Sequence, residues 1–155
     1  MIDRALAALT EKDDNYACAY ANKIIRESQE SDQWYPFVKE FASLLHHPKS
    51  LVRNRIMHIL AANAQWDCDH AFDGFIDEFL THITDDKPIS ARQCIQALTA
   101  IGSAKPQYIP RIMSAFQAAD LSKYKDSMRP LIEKDMATAR QLLSQVSATA
   151  HHSSV

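Results

Sequence analysis

Apolar positions recur along this chain at helical spacing. Phe37, Phe41, Leu44 and Leu45 fall at i, i+4, i+7 and i+8, one face of a helix. Val52, Ile56, Ile59, Leu60 and Asn63 form a second stripe, with Asn63 as its polar member. The segment HHPKS separates the two stripes. There the second helix starts either with Pro48 in its first turn or with Ser50 as a capping hydroxyl. So short a link predicts antiparallel neighbours.

The same pattern returns downstream. Phe75, Phe79 and Ile83 make a stripe, DDKP a turn, and Ala91, Ile95, Leu98 and Gly102 a second stripe. Laying Arg92 on Arg53 superposes Ala91 on Val52, Ile95 on Ile56 and Leu98 on Ile59, an offset of 39 residues. Ile109, Ile112, Met113 and Phe116, then the turn DLS, then Tyr124, Met128, Leu131 and Ile132 repeat the unit, with Lys125 in the slot of Arg92 at an offset of 33 residues. A weaker first copy runs from Ala5, Leu6 and Leu9 through EKDDN to a helix from Tyr16 to about Glu27. Four helix pairs at near-regular intervals predict an all-α chain, an α-α superhelix in which stacked neighbours complete each other's core. Pro36, Pro88 and Pro106 fit helix starts, and a helix restarting at Asp126 keeps Pro130 among its first residues.

One domain over residues 1–147 is expected, followed by a polar tail, 148–155, expected to be disordered. Composition narrows the function. Glycine occurs only at Gly74 and Gly102, so the clustered glycines of phosphate-cradling loops and dinucleotide folds are missing. Seventeen basic and 19 acidic residues are spread along the chain, giving a net charge of −2 and no overall attraction for nucleic acid. No apolar run approaches the roughly 18 residues of a membrane span, and MIDRALAALTEKDD turns charged too early for a signal peptide. A cytoplasmic protein with no membrane association is expected. Cys18, Cys68 and Cys94 are widely spaced without a CxxC, the pattern of reduced thiols rather than of a disulfide framework or zinc knuckle.

FVKEFASLLHHPKSLVRNRIMHIL and FIDEFLTHITDDKPISARQCIQAL resemble HEAT repeats, a likeness that covers about residues 35 to 103 well and the flanking pairs weakly. ITDDKPISARQCIQAL and ADLSKYKDSMRPLIEKD further resemble small bacterial HEAT-repeat proteins of unassigned function. Some of those bear a label referring to the Suf iron–sulfur assembly system, and the cysteines here have no cluster-ligand arrangement to match it. The resemblance implies a HEAT/armadillo-like solenoid of about four antiparallel pairs, with second helices lining the inner curve. It also implies a ladder between stacked repeats, built from an Asp in the turn and an Arg six residues on. Asp86 and Arg92 match that spacing, and Arg53 matches at the Arg alone.

Candidate chemistry is sparse. In Trp66-Asp67-Cys68-Asp69-His70 a thiol, an imidazole and two carboxylates imitate a metal site, but adjacent loop residues seldom wrap one ion, so a loop with Trp66 as an apolar plug is expected and no metal or cofactor. His46, His47, His58 and His82 read as solvated turn histidines, because neighbouring helical residues diverge by about 100°. Asp85 and Asp86 read as helix-start carboxylates, and Cys94 has no base in reach. No catalytic residue emerges. The expected function is therefore a non-enzymatic scaffold or adaptor that binds a protein or peptide on its inner face, with Asn54, Met57, Gln93 and Gln96 as contacts. The alternative is a nucleic-acid-binding protein related to HEAT-like DNA glycosylases, which such neutral side chains do not favour.

Overall fold

The computed structural model describes residues 1–153, with side chains described through residue 149. Among the described residues the secondary structure is helical, with no strand. Helices α1 (Ile2–Leu9), α2 (Asp14–Glu30), α3 (Val38–Ala42), α4 (Ser50–Asn63), α5 (Ile76–Leu80), α6 (Pro88–Ala104), α7 (Ile109–Ala118) and α8 (Arg129–Ser153) follow one another, and single 3-10 turns precede or follow several of them. Packing divides the chain into two compact units, Met1–Phe79 and the chain from Leu80 onward.

In the first unit, Asp13 sets the start of α2. Its carboxylate accepts from the backbone N–H of Asn15 at 3.0 Å and of Tyr16 at 3.2 Å, filling donors that a helix start leaves open. Helix α2 buries Ala17, Ala21, Ile24 and Ser28, a run of mostly small residues that lets α1 and α4 approach it closely. Helix α4 is buried over most of its surface, including Arg53, Arg55 and Asn63. Asn63 is polar inside the stripe because it ties α4 to α2: its Nδ2 donates to Ser28 Oγ at 3.0 Å and to Ile59 O at 2.9 Å. Trp66 donates through Nε1 to Ser28 O at 2.7 Å, so the indole serves as a hydrogen-bonding clamp as well as a plug.

Helix α4 begins at Ser50 with Lys49 as its N-cap, so Pro48 lies ahead of its first turn and Ser50 is not the cap. Instead His47 Nδ1 accepts the Lys49 N–H at 3.0 Å, and Arg53 donates to the carbonyls of His47 and Pro48 at 2.8 and 3.2 Å. In the second unit Asp85 does the same for α6, its Oδ1 accepting the Lys87 N–H at 2.9 Å. A side-chain acceptor two residues ahead of the N-cap is the device common to both turns.

Helix α6 packs on α8, α7 and the 3-10 turn Thr81–Thr84, and α7 packs on α8. Pro88 opens α6, Pro106 opens the 3-10 turn Pro106–Tyr108, and Pro130 is the second residue of α8, each where a missing N–H costs little. Helix α8 carries residues 148–153 of the tail for which disorder was expected; residues 154 and 155 lie outside the described residues. No Gly or Pro follows Pro130 within the helix to interrupt it.

Candidate functional site: a groove between α6 and α8

Helices α6 and α8 leave a two-lobed groove along their line of contact. One lobe, about 300 Å³, is lined by Ile95, Gln96 and Thr99 of α6 and by Asp135, Thr138, Ala139 and Leu142 of α8. The other, about 480 Å³, is lined by Thr99, Ser103 and Pro106 against Leu142, Gln145, Val146 and Thr149. Thr99 and Leu142 belong to both lobes and form the waist between them. Lining positions advance in the same sense on both helices, so α6 and α8 run in the same direction.

The sequence builds this arrangement in three steps. Gly102 is buried on the face of α6 toward α8 and α7, where a Cβ would lie 2.6 Å from Leu143 Cδ2 and 3.3 Å from Ile112 Cδ1, so the missing side chain sets the close approach. Ile95, Leu98 and Ile101 bury the core side of α6, which turns Gln96 and Ser103 outward. Arg92 then holds the α8 side. Its Nε donates to Asp135 Oδ2 at 2.6 Å and its Nη2 reaches Oδ1 at 3.4 Å. That carboxylate holds the proton affinity of the Arg92 guanidinium above its ordinary value, so Arg92 stays charged at any working pH.

Chemically the groove offers hydroxyls, amides and aliphatic surface. Asp135 is its one ionisable lining residue among the described residues, and Arg92 balances it. A further concavity of about 500 Å³ is bounded by Leu121, Ser122, Arg129 and Glu133, but Arg129 is committed there to the carbonyls of Leu121 and Tyr124 and to Asp126.

Of the four expected contact residues, Gln96 lines the groove and is exposed. Gln93, on the same helix, is half-buried. Asn54 and Met57 lie on α4 in the other unit, where Asn54 is half-buried and Met57 is 0% exposed. Met57 therefore belongs to the packed interior and offers a partner no surface; α4 is covered on more sides than one apolar stripe implies.

The expected ladder is also corrected. Arg92 pairs with Asp135 instead of with a turn aspartate, and the Asp86 side chain is 97% exposed, 3.8 Å from Lys123 Nζ. The neighbouring Asp85 is the buried one. Its Oδ2 meets His82 Nδ1 at 2.7 Å, so His82 is an interior residue and not a solvated turn histidine. Ties between successive turns come from other residues. Tyr124 donates its hydroxyl to Asp85 O at 2.5 Å, and Lys123 donates to Thr84 O. In the first unit, buried Arg55 donates to Leu9 O at 3.1 Å and to Asp14 Oδ1 at 3.0 Å, with Lys49 on the same oxygen at 2.5 Å. Arg55 did carry a signal, since it is four residues before Ile59 and so sits in phase with the apolar stripe.

The remaining lookalikes separate. Around residues 66–70, Tyr35 donates to Asp67 at 2.5 Å and to Asp69, and burial followed by those two carboxylates raises the phenol well above its ordinary range. Cys68 and His70 are exposed, and His70 adopts a left-handed backbone, φ 59°. Among the described residues no three His, Cys, Asp or Glu side chains are placed to hold a metal ion. Cys94 is fully buried, and burial, then the Asp85 charge, push its thiol up, away from nucleophilic thiolate character. No described helix is long and apolar enough to cross a membrane.

The class these observations define is an all-helical protein with an interhelical groove whose described lining carries a single carboxylate, Asp135, paired with Arg92. No family model, curated protein or solved structure matches the chain.

Proposed function

We propose that this protein is a HEAT-like helical-repeat module, a superhelical stack of antiparallel helix pairs. In this reading the chain is a non-enzymatic adaptor that binds another protein or peptide on the face of its second helices. Two features support the repeat reading: helices follow in four pairs, and within each unit the second helices of successive pairs pack together, α2 on α4 and α6 on α8. The observation that carries the binding reading is the α6–α8 groove, accessible and lined by amide, hydroxyl and aliphatic groups with one carboxylate, Asp135, paired to Arg92. A phosphate backbone finds no lysine or arginine on that lining, which disfavours the nucleic-acid alternative.

The test is capture of partners with the intact protein and with a blocked one, Ser103→Arg combined with Thr138→Arg. Both positions are exposed, so the folded core is untouched. Loss of the same captured protein from the blocked form, with an unchanged urea midpoint, supports the assignment. Equal capture by both forms places binding elsewhere.

A further inference from the structure

We infer that the occupant of the α6–α8 groove is an amphipathic helix with two uncharged anchor residues seven positions apart and a basic residue in its last turn. The inference rests on the proposed binding function and specifies its partner. Four observations lead to it.

The first is the spacing of the lobes. Gln96 and Thr138 mark one lobe, and Ser103 and Gln145 the other, seven residues further along each helix. At a rise of about 1.5 Å per residue the lobe centres are about 10 Å apart. A docked helix presents side chains i and i+7 on one face at that same separation. An extended chain places same-face side chains at about 7 or 13 Å, and neither interval fits.

The second is the waist. Leu142, 45% exposed, stands between the lobes with Thr99 opposite, an apolar ridge of the kind that inserts between the anchor turns of a packed helix.

The third is charge. Asp135 bounds the smaller lobe, and the long 3.4 Å approach of Arg92 to its Oδ1 leaves that oxygen able to accept another donor. A Lys or Arg of the partner, one turn beyond its second anchor, meets this oxygen. The rest of the lining is neutral, so charged anchors would be desolvated without compensation.

The fourth is direction. Helix α6 ends at Ala104, and its carbonyl end carries partial negative charge beside the larger lobe. A partner helix with its N-terminus there, running opposite to α6 and α8, aligns favourably with that dipole. The same orientation brings its C-terminal turn, where a cation is favoured, to Asp135.

The experiment selects random displayed peptides of about 16 residues, long enough for four helical turns, on the full chain. The Ser103→Arg/Thr138→Arg protein serves as counter-selection. Expected are sequences with uncharged anchors at i and i+7 and Lys or Arg three or four residues later. Their synthetic forms should gain helicity on binding, and Asp135→Asn should weaken them about ten-fold less than blocking either lobe does. Groove-dependent peptides with alternating apolar residues, or with anchors at other intervals, would overturn the helical occupant and leave the binding function standing. Peptides indifferent to the blocking substitutions, or none at all, would sink both.

Discussion

Replacing Gly102 by alanine tests the contact on which the groove is built. In an ordinary helix interior, Gly→Ala stabilises by about 1 kcal/mol through the backbone entropy that glycine loses on folding. Here the added methyl would sit 2.6 Å from Leu143 Cδ2, 3.3 Å from Ile112 Cδ1 and 3.5 Å from Ile109 Cγ1. Leu143 and Ile112 are 0% exposed, so neither methyl can swing into solvent and the strain passes to the spacing of α6 and α8. Overpacking of this kind costs about 1–3 kcal/mol, so the net expectation is a loss of about 1 kcal/mol for Gly102→Ala, and more for Gly102→Val.

Leu143→Ala alone, which opens a cavity, should cost about 2–5 kcal/mol, and this cost should shrink by about 1 kcal/mol in the Gly102→Ala background, where the added methyl fills part of the space. Urea denaturation followed by far-UV circular dichroism is the assay, because it follows the helices of both units, whereas Trp34 and Trp66 both lie in the Met1–Phe79 unit. A Gly102→Ala protein more stable than the parent by the full helical increment, with additive behaviour in the double mutant, would refute the close approach of α6 to α8.

Asp85→Ala should lower stability by about 2 kcal/mol, since it strips an acceptor from the Lys87 N–H and from His82, whereas Asp86→Ala should fall within about 0.5 kcal/mol of the parent; denaturant midpoints compare them. Asp14 has its carboxyl lowered by Lys49 first and Arg55 second, so its contribution is fully present above its unfolded value near 3.8 and is lost as pH falls through the depressed folded value. Asp14→Asn should accordingly flatten the acid limb of a stability-versus-pH curve, and an unchanged limb would contradict the assignment. Brief iodoacetamide treatment of the native protein should modify Cys18 and Cys68, both exposed, and spare buried Cys94; mass spectrometry of peptides reads the result, and Cys94 labelled as fast as the others would mean that α6 opens readily.

The stripes of α4, α6 and α7 were legible because a 3.6-residue period survives any detail of packing. The first helices of the middle pairs were less so. α3 and α5 hold five residues each, and 3-10 turns at Tyr35–Phe37 and Thr81–Thr84 carry part of the stripe instead. Met57 was misplaced because a stripe implies one covered face, while α4 is covered nearly all round, with the guanidinium groups of Arg53 and Arg55 satisfied inside. Gln96 does lie at the surface, since α6 keeps an open face. The groove itself was out of reach. Half its wall is α8 from Asp135 to Thr149; Met136, Ala139 and Leu143 there continue the phase of Ile132 and are buried, but the last unit was read only as far as Ile132 and the end as a tail.

The displaced ladder explains why this groove has the character it does. DDKPISAR offers two aspartates, and helix geometry chooses between them: the acceptor two residues before the N-cap reaches the Lys87 N–H, so Asp85 turns inward and Asp86 stays in water. With Tyr124 and Lys123 tying the next turn to the carbonyls of Asp85 and Thr84, Arg92 is not needed between turns. One helical turn into α6, its guanidinium extends across to α8 and neutralises Asp135. Arg92 thereby fixes the one charged group of the described lining, and the rest of that lining is amides, hydroxyls and a leucine ridge. Arg92→Ala should therefore do more than loosen α6 from α8. It should convert the smaller lobe from neutral to acidic and shift its preference toward peptides carrying two basic residues at that end.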